Sequence, residues 1–372
     1  MFFRIADPGY NGNYTISLHI TNVGSFIKNY ERNLRSYPTH ARDHPPGTAL
    51  FSYSVNQFFL SFPELKQRIN TIQPKREDMK VVWSQLTWNE KLGALSLGFI
   101  ISLLSLLALL PIYFLGNVLG GERTGVRAAL LYGVVPSVSL FIPLPDALYA
   151  IFSVVATCLF VIAVKKKSYI LFFLSGLTLS IGTFFSLSIL PISFMLFLFS
   201  FITYLHTRKH TFFYHMLLYT SGIILIPFLL YFFFGYNTLS VSSTIMRIIA
   251  PRSYLLWIFF NLYDFFMFVG IPISIIFVLM LKQQLKYIFK KLISKIDILF
   301  ISFVTTIIIV DLSGSSRSEV SRIWLPFVPI LIILVTNFLT KSLKFTKNQF
   351  IMILFIQIVQ VIIFETFLVL YG

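Results

Sequence analysis

From Leu92 to the C-terminus the chain is a succession of long apolar segments separated by short polar connections. A helix needs about 20 predominantly apolar residues to cross the hydrocarbon core of a bilayer. Candidate segments lie at residues 92–116, 126–143, 147–164, 169–185, 187–205, 212–234, 255–280, 297–311, 323–340 and 349–371. The pattern predicts an all-α integral membrane protein with about ten transmembrane helices. The division at Ser186 is the weakest of these boundaries, because little polar sequence separates its two segments.

The composition supports a polytopic membrane protein. Hydrophobic residues make up 56% of the chain and charged residues only 12%, with 42 phenylalanines. A soluble protein of this size would need more surface charge and less apolar surface. Cys158 is the single cysteine and lies in an apolar run, so the chain has neither a disulfide framework nor a cysteine metal site.

The first 90 residues differ from the rest, because they are polar and contain no spanning segment. We therefore divide the chain into residues 1–90, a first-loop region, and residues 91–372, a transmembrane domain. Residues 26–34 and 51–62 have the apolar spacing of short amphipathic helices, and 66–80 is a charged segment that we expect to form a surface loop. The aromatic residues suited to the membrane interface are Tyr53, Phe58, Phe59 and Phe62.

Basic residues alternate between the connections. One set of connections carries most of them: Arg123, Arg127, Lys165, Lys166, Lys167, Arg208, Lys209, Lys282, Lys286, Lys290, Lys291, Lys295, Lys341, Lys344 and Lys347. The other set carries Arg247, Arg252, Arg317 and Arg322. The positive-inside rule assigns the first set to the cytoplasm. The net charge of +16 therefore indicates membrane topology rather than a nucleic-acid partner.

The same rule puts residues 1–90, 143–146, 235–254 and 311–322 on the outer side of the membrane. No spanning helix or signal peptide precedes the polar lead-in, so export of this region predicts a further transmembrane helix before Met1. The alternative is a cytoplasmic lead-in, which would invert the charge rule.

A charged cluster with a rigid corner lies at residues 39–48. His40, Arg42, Asp43 and His44 precede Pro45-Pro46-Gly47. Each proline disfavours a helical conformation in the residue before it, and glycine permits a sharp bend. We expect a stiff, non-helical loop that holds the charged groups in one place; an ordinary turn before a helix is the alternative.

Neither a metal nor a cofactor is indicated by these patterns. His40, His44 and Asp43 are of the residue types that ligate divalent cations, but no further ligand is near in sequence. His206, His210 and His215 flank a connection assigned to the cytoplasm, where histidines are common at the interface.

Three further groups of polar residues lie on the predicted outer side. Asp146 follows Pro143-Leu144-Pro145 and is suited both to a helix N-cap and to a functional role. Arg247 and Arg252 have the planar geometry that binds phosphate with two hydrogen bonds. Asp264 lies in an apolar segment and needs a partner there, for which we expect an arginine of another loop.

The last outer loop leads directly into an apolar segment. If residues from Arg317 onward are helical, Glu319 and Arg322 are neighbours at i and i+3, with Arg317 close by. A surface ion pair is one interpretation. We favour a buried or ligand-facing Arg322, because the adjoining apolar segment puts it at the head-group level or below.

Taken in order, three motifs resemble the GT-C class of polytopic glycosyltransferases, in the protein O-mannosyltransferase and aminoarabinose-transferase-like group. They are His44-Pro45-Pro46-Gly47, the stretch from Pro136-Ser137 to Pro143-Leu144-Pro145-Asp146-Ala147-Leu148, and Arg317-Ser318-Glu319-Val320-Ser321-Arg322-Ile323-Trp324. The resemblance implies a polyprenyl-phosphate sugar donor, inversion at the anomeric carbon and an acidic catalytic residue early in the first outer loop. On that basis Asp7 is the first candidate for the base and Asp43 the second. The absence of a first helix departs from the family pattern.

We therefore expect a multi-pass enzyme, in a bacterial plasma membrane, that transfers the sugar to a glycan, lipid or protein acceptor. The substrate-binding candidates are His44, Asp146, Arg247, Arg252, Asp264, Arg317, Glu319 and Arg322. Two other classes stay open: a transporter or lipid flippase, which would have ionisable groups near the bilayer midplane, and an inactive truncated homologue or assembly partner.

Overall fold

The structure, a computed structural model, describes residues 2–62, 64–65, 72–75, 77–208, 211–248, 252–288 and 294–368. Within these ranges the chain forms helices and connections, with no strand. The protein is therefore an all-α membrane protein, as the apolar pattern predicts.

The first 90 residues fold into a group of short helices. They are α1 (Pro8–Ser17), α2 (Val23–Lys28), α3 (Tyr30–Asn33), α4 (Thr39–Arg42), α5 (Gly47–Leu60) and α6 (Glu77–Gln85). Both amphipathic segments are helical as predicted, although residues 26–34 are divided between α2 and α3. Two expectations need correction: residues 39–42 form a helical turn, and the expected loop at 66–80 becomes helical from Glu77, while its residues 66–71 and 76 lie outside the described ranges.

The longer helices follow. They are α7 (Trp88–Leu107), α8 (Leu109–Gly120), α9 (Glu122–Tyr132), α10 (Pro136–Phe141), α11 (Asp146–Lys166), α12 (Tyr169–Phe185), α13 (Leu190–Thr207), α14 (Thr211–Phe234), α15 (Thr238–Ile248), α16 (Tyr254–Val269), α17 (Ile271–Ile288), α18 (Lys295–Ser313), α19 (Val320–Ile323), α20 (Val328–Lys341) and α21 (Lys347–Phe367). Short 3₁₀ turns lie at Phe2–Ile5, Leu34–Ser36, Leu187–Ile189 and Leu325–Phe327.

The number of membrane-spanning helices is smaller than the sequence pattern suggests. Among the described residues, 6 helices are long and apolar enough to cross a membrane, or up to 7 if a bent pair counts as one span. The six are Trp88–Gly120, Asp146–Lys166, Leu187–Thr207, Thr211–Phe234, Lys295–Ser313 and Lys347–Phe367. The expected segments 169–185 and 323–340 are also helical, at Tyr169–Phe185 and Leu325–Lys341, but these two apolar helices are shorter than the six and are not counted with them. The predicted break at Ser186 is confirmed, since its backbone is extended.

The expected span at 126–143 is interrupted. Helix α9 ends at Tyr132, and α10 begins only at Pro136. Proline has no backbone N–H and disfavours the helical conformation in the residue before it, and Val135 is accordingly extended. Summed hydropathy does not register such an interruption, because the intervening residues are still apolar.

The expected span at 255–280 is bent by 117° between α16 and α17. The bend is at Gly270, whose φ of +117° is a conformation that residues with a side chain rarely adopt. Helix α16 therefore turns away from α17 and lies against α10 and α19.

Two glutamines of α21 satisfy the backbone groups that the bend exposes. Gln360 accepts a hydrogen bond from the Ile271 amide at 2.9 Å and donates to the Met267 carbonyl at 2.8 Å. Gln357 donates to the Val269 carbonyl at 3.0 Å. Unpaired backbone groups are costly in lipid, so these side chains stabilise the bend that orients α16.

Replacing Gln360 by Met should lower the free energy of unfolding by about 1–3 kcal/mol, because two buried backbone groups lose their partners. Thermal unfolding in a mild detergent measures the loss. Thr366→Ala on the same helix is the matched control, since the Thr366 hydroxyl bonds only within its own helix at an exposed position. Equal melting temperatures for the two variants would contradict this account of the bend.

Helices α12 and α14 pack closely where each has a glycine. Helices α12 and α14 approach at Gly176 and Gly222, where a β-carbon would lie 2.0 Å from the Tyr219 carbonyl oxygen and 2.3 Å from that of Phe173. Glycine at these positions lets the two backbones meet, as expected for packed membrane helices.

Candidate functional site

A cavity of about 270 Å³ lies at one end of the helical bundle. Residues from several separate segments line it, including His40 of α4, Asp146 at the start of α11, Ile245 of α15 and Arg322 of α19. These belong to the four regions that the charge pattern assigned to a common side of the membrane. The structure brings residues of all four regions together around this cavity. We call this cavity 1.

Arg322 is the central charged group of cavity 1. It is 8% exposed, and its guanidinium lies 2.7 Å from the Glu319 carboxylate and 3.8 Å from that of Asp146. Its Nη2 is also 3.1 Å from Nδ1 of His40. The predicted i,i+3 pair with Glu319 is therefore present, and Arg322 is buried rather than on the surface.

Burial disfavours the charged form of Arg322, but the carboxylates of Asp146 and Glu319 outweigh this effect and raise its pKa. The guanidinium is thus permanently charged, with a carboxylate on two sides. A group of this kind can exchange one carboxylate for an anionic ligand without losing its charge compensation.

The Pro45-Pro46-Gly47 corner joins this cluster to the bundle. Pro46 precedes α5, and Thr48 in the first turn of that helix donates to the Phe185 carbonyl at 3.1 Å and lies 3.2 Å from the Tyr149 hydroxyl. The Tyr30 hydroxyl donates to the His44 carbonyl at 2.8 Å. The corner therefore fixes His44 between the first-loop region and α11.

His44 lines cavity 1, and its Nδ1 is buried without a hydrogen-bond partner in the described part of the chain. Burial lowers its pKa from 6.5 to about 4; the Asp146 charge opposes this shift, and Arg322 and His40 add to it. The ring is therefore neutral near pH 7.

The low pKa of His44 predicts acid instability. Between pH 6.5 and about 4 the unfolded chain binds a proton that the folded chain does not, so the stability falls as the pH falls through this window. The full shift corresponds to about 3–4 kcal/mol, of which about 2–3 kcal/mol is lost between pH 7.5 and pH 4.5. Thermal unfolding at pH 7.5 and pH 4.5 measures it. His44→Gln should lessen the loss and His19→Gln, at an exposed position, should retain it; equal losses would contradict the assignment.

Asp43 is the carboxylate of the corner. It is half-buried, lines cavity 1 and lies 3.9 Å from Nε of Arg42. Burial raises its pKa above the ordinary value, against the lowering effects of Arg42 and His40. A raised pKa makes the ionised carboxylate a better proton acceptor.

Several buried donors of cavity 1 make no hydrogen bond to the described residues. They are Nε of Arg42, Nε of Arg322 and Nε1 of Trp324. Buried donors are nearly always paired in folded proteins, and unpaired ones need an explanation. A ligand with several acceptor oxygens would pair them.

The loop before Arg322 has an unusual backbone. Ser318 and Glu319 have φ values of 93° and 54°, which side chains disfavour. Asn261 of α16 holds the loop, since its amide donates to the Ser316 carbonyl at 2.8 Å and to Asp311 at 2.9 Å. Because the strained backbone is held by α16, the position of Glu319 depends on the bend at Gly270.

Asp264 has a different partner from the arginine that we expected. Its carboxylate accepts a hydrogen bond from the Ser321 amide at 2.8 Å. Arg252 and Arg317 instead bind each other's backbone, at 3.3 Å and 2.7 Å. The backbone amide is available because Ser321 lies in the first turn of α19.

The structure brings together most of the predicted site residues. Those that line cavity 1 are Asp43, His44, Asp146, Arg252, Arg317, Glu319 and Arg322. Asp264 lines an adjoining cavity. Asp7 and Arg247 line neither cavity. Asp7 caps α1, where its side chain accepts from the Gly9 amide at 2.7 Å.

Two expectations for single residues change. Asp146 is the first residue of α11 rather than its N-cap, which is Pro145. His40, which the sequence places in the charged cluster at residues 39–48 without indicating a partner, contacts Arg322. The pairing of His40 with Arg322 spans most of the chain, so local sequence gives no sign of it.

Within the described ranges, no three His, Cys, Asp or Glu side chains are grouped so that they could hold a metal ion. Comparisons of the chain with protein-family models, with curated proteins and with solved structures find no match.

Proposed function

We propose that the protein is a membrane glycosyltransferase that uses a polyprenyl-phosphate sugar as donor and binds its phosphate in cavity 1. The observation that carries this proposal is the set of buried N–H donors on Arg42, Arg322 and Trp324 that make no hydrogen bond to the described residues. The two arginine Nε atoms lie 3.9 and 3.8 Å from carboxylate oxygens, beyond hydrogen-bond distance. Guanidinium and indole N–H groups suit phosphate oxygens, and Arg252 and Arg317 add charge at the same cavity.

Part of the remaining wall of cavity 1 is apolar. It includes Leu187, Pro191, Val310, Ile323 and Phe327. A phosphate ligand that carries a long hydrocarbon chain would contact both kinds of surface, whereas a free phosphate would leave the apolar wall uncovered. The position at the end of apolar helices also fits a ligand whose chain lies in the bilayer.

Asp43 is the base in this proposal. Its carboxylate takes the proton of an acceptor hydroxyl while the hydroxyl oxygen attacks the anomeric carbon from the face opposite the phosphate. The anomeric carbon–oxygen bond then breaks, and its electron pair leaves on the polyprenyl phosphate. Arg322 stabilises the added charge on that phosphate, and the sugar is transferred with inversion.

Transfer from a panel of radiolabelled undecaprenyl-phosphate sugars tests the proposal. Membranes of cells that express the chain should move label from the lipid to an acceptor, and membranes with Asp43→Asn should not. Equal transfer by both would remove Asp43 from the reaction. If no sugar were transferred by the wild type, the proposed activity would be wrong, and lipid translocation across vesicles would be the next assay.

A further inference from the structure

A second cavity, of about 400 Å³, adjoins cavity 1. We call it cavity 2. Arg252, Ser318, Glu319 and Arg322 line both cavities, so the strained loop before α19 forms the partition between them. A ligand in cavity 2 therefore meets the same ion pair, Glu319–Arg322, that borders cavity 1.

One side of cavity 2 is rich in aromatic residues. Its rings come from Tyr10, Phe141, Trp257, Phe260, Tyr263 and Phe268. Helix α16 supplies the last four of these, and its exposed surface includes Leu255 and Phe259, which are 73% and 76% exposed and do not line the cavity. An exposed face of this kind on an apolar helix suits the membrane interface.

The aromatic wall continues into the exposed surface of α16. Phe260 and Tyr263 line cavity 2 and are 49% and 61% exposed. Cavity 2 is therefore open on the side where α16 would contact lipid. An apolar chain can extend from the cavity onto this face without leaving the bilayer.

The other side of cavity 2 carries three arginines, Arg4, Arg252 and Arg322, and two carboxylates, Asp264 and Glu319. Arg4 donates to the Leu140 carbonyl at 3.4 Å and lies 5.5 Å from the centre of the Tyr10 ring. Arg252 lies 5.7 Å from the centre of the Trp257 ring. The carboxylate of Asp264 is engaged by the Ser321 amide, and that of Glu319 by Arg322. The charges of Arg4 and Arg252 are left without a carboxylate in the described ion pairs.

We infer that cavity 2 binds a lipid with an anionic head group, which enters from the bilayer past α16 and puts its head group between Arg4 and Arg252. Within the proposed function, on which this part rests, such a lipid is the acceptor substrate. Its head group would then lie across the Glu319–Arg322 partition from the donor phosphate.

Photo-cross-linking in nanodiscs tests this inference without any sugar donor. Benzoylphenylalanine at position 260 reports cavity 2, and the same group at position 259 reports lipid on the outer face of the same helix. The probes are labelled phosphatidylglycerol and phosphatidylcholine with identical acyl chains. Position 260 should cross-link the anionic lipid about tenfold more, because one charged contact is worth roughly that factor; position 259 should show no preference.

Two substitutions of Arg4 test whether its charge is responsible for the lipid preference. Arg4→Gln should abolish the preference at position 260, and Arg4→Lys should restore much of it, because the charge returns. An equal preference for the anionic lipid at positions 260 and 259 would overturn the inference. A preference at position 260 that Arg4→Gln does not change would also overturn it. Addition of undecaprenyl phosphate should leave the cross-link at 260 unchanged. Displacement by that lipid would instead identify cavity 2 as the donor site and contradict the acceptor assignment.

Discussion

Replacing Arg322 by Ala should have the largest effect of any single change at the site. The substitution leaves the buried Asp146 carboxylate without its cation, and it also removes the partner of Glu319, whose side chain is 42% exposed. Loss of one partner of a buried ion pair typically costs about 3–5 kcal/mol. Removing a group that stabilises charge on the leaving phosphate should also lower the transfer rate by about 10²–10³-fold. Thermal unfolding in detergent and transfer assays measure the two effects.

The two effects of Arg322→Ala separate in a double-mutant cycle with Asp146→Asn. Asparagine removes the carboxylate that Arg322→Ala leaves buried, so the double variant should regain part of the lost stability. The double variant should not regain transfer, because the Arg322 guanidinium that binds the phosphate is still absent. Recovery of both stability and transfer would show that Arg322 acts only through the fold.

Asp43→Asn should lower the transfer rate by about 10²–10⁴-fold, the usual contribution of a positioned general base. Donor binding should be unchanged, since the arginines of cavity 1 are retained. The stability should not fall, because burial already disfavours the charged form of this carboxyl. The acid limb of the pH–rate profile of the wild type should lie above pH 3.8, the ordinary value for aspartate. Turnover and donor affinity, measured separately on purified protein, test this assignment.

Asp7→Ala is the control for Asp43→Asn. Asp7 caps α1, so its loss should cost about 1 kcal/mol of stability and have a much smaller effect on transfer. If Asp7→Ala abolished transfer in protein that is still folded while Asp43→Asn did not, the base would be Asp7. That result would restore the order of candidates that the family resemblance implies.

The class of fold was predictable from the sequence because the hydrophobic pattern responds directly to the bilayer. The positions at which the apolar helices are interrupted were less predictable. Gly270 and Pro136 interrupt segments that are apolar throughout, and their effects depend on backbone dihedral angles and on partners such as Gln360. Neither the backbone dihedral angles nor the partner residues affect an average hydropathy, so a hydropathy pattern does not locate these breaks.

The site was predictable in part for a related reason. The i,i+3 spacing of Glu319 and Arg322 is local, so their ion pair could be expected from the sequence alone. The contacts of Arg322 with Asp146 and His40, and of Asp264 with Ser321, join distant segments. They follow from how helices pack, which no local pattern specifies.

Retention of a polyprenyl phosphate by the purified protein tests the central claim most directly. Native mass spectrometry can compare undecaprenyl phosphate with undecaprenol, which has the same chain and no phosphate. We predict that the wild type retains the phosphate and releases the alcohol, and that Arg42→Gln with Arg317→Gln, both of which line cavity 1 and not cavity 2, weakens retention. Equal retention of both lipids, or of neither, would contradict a phosphate site in cavity 1.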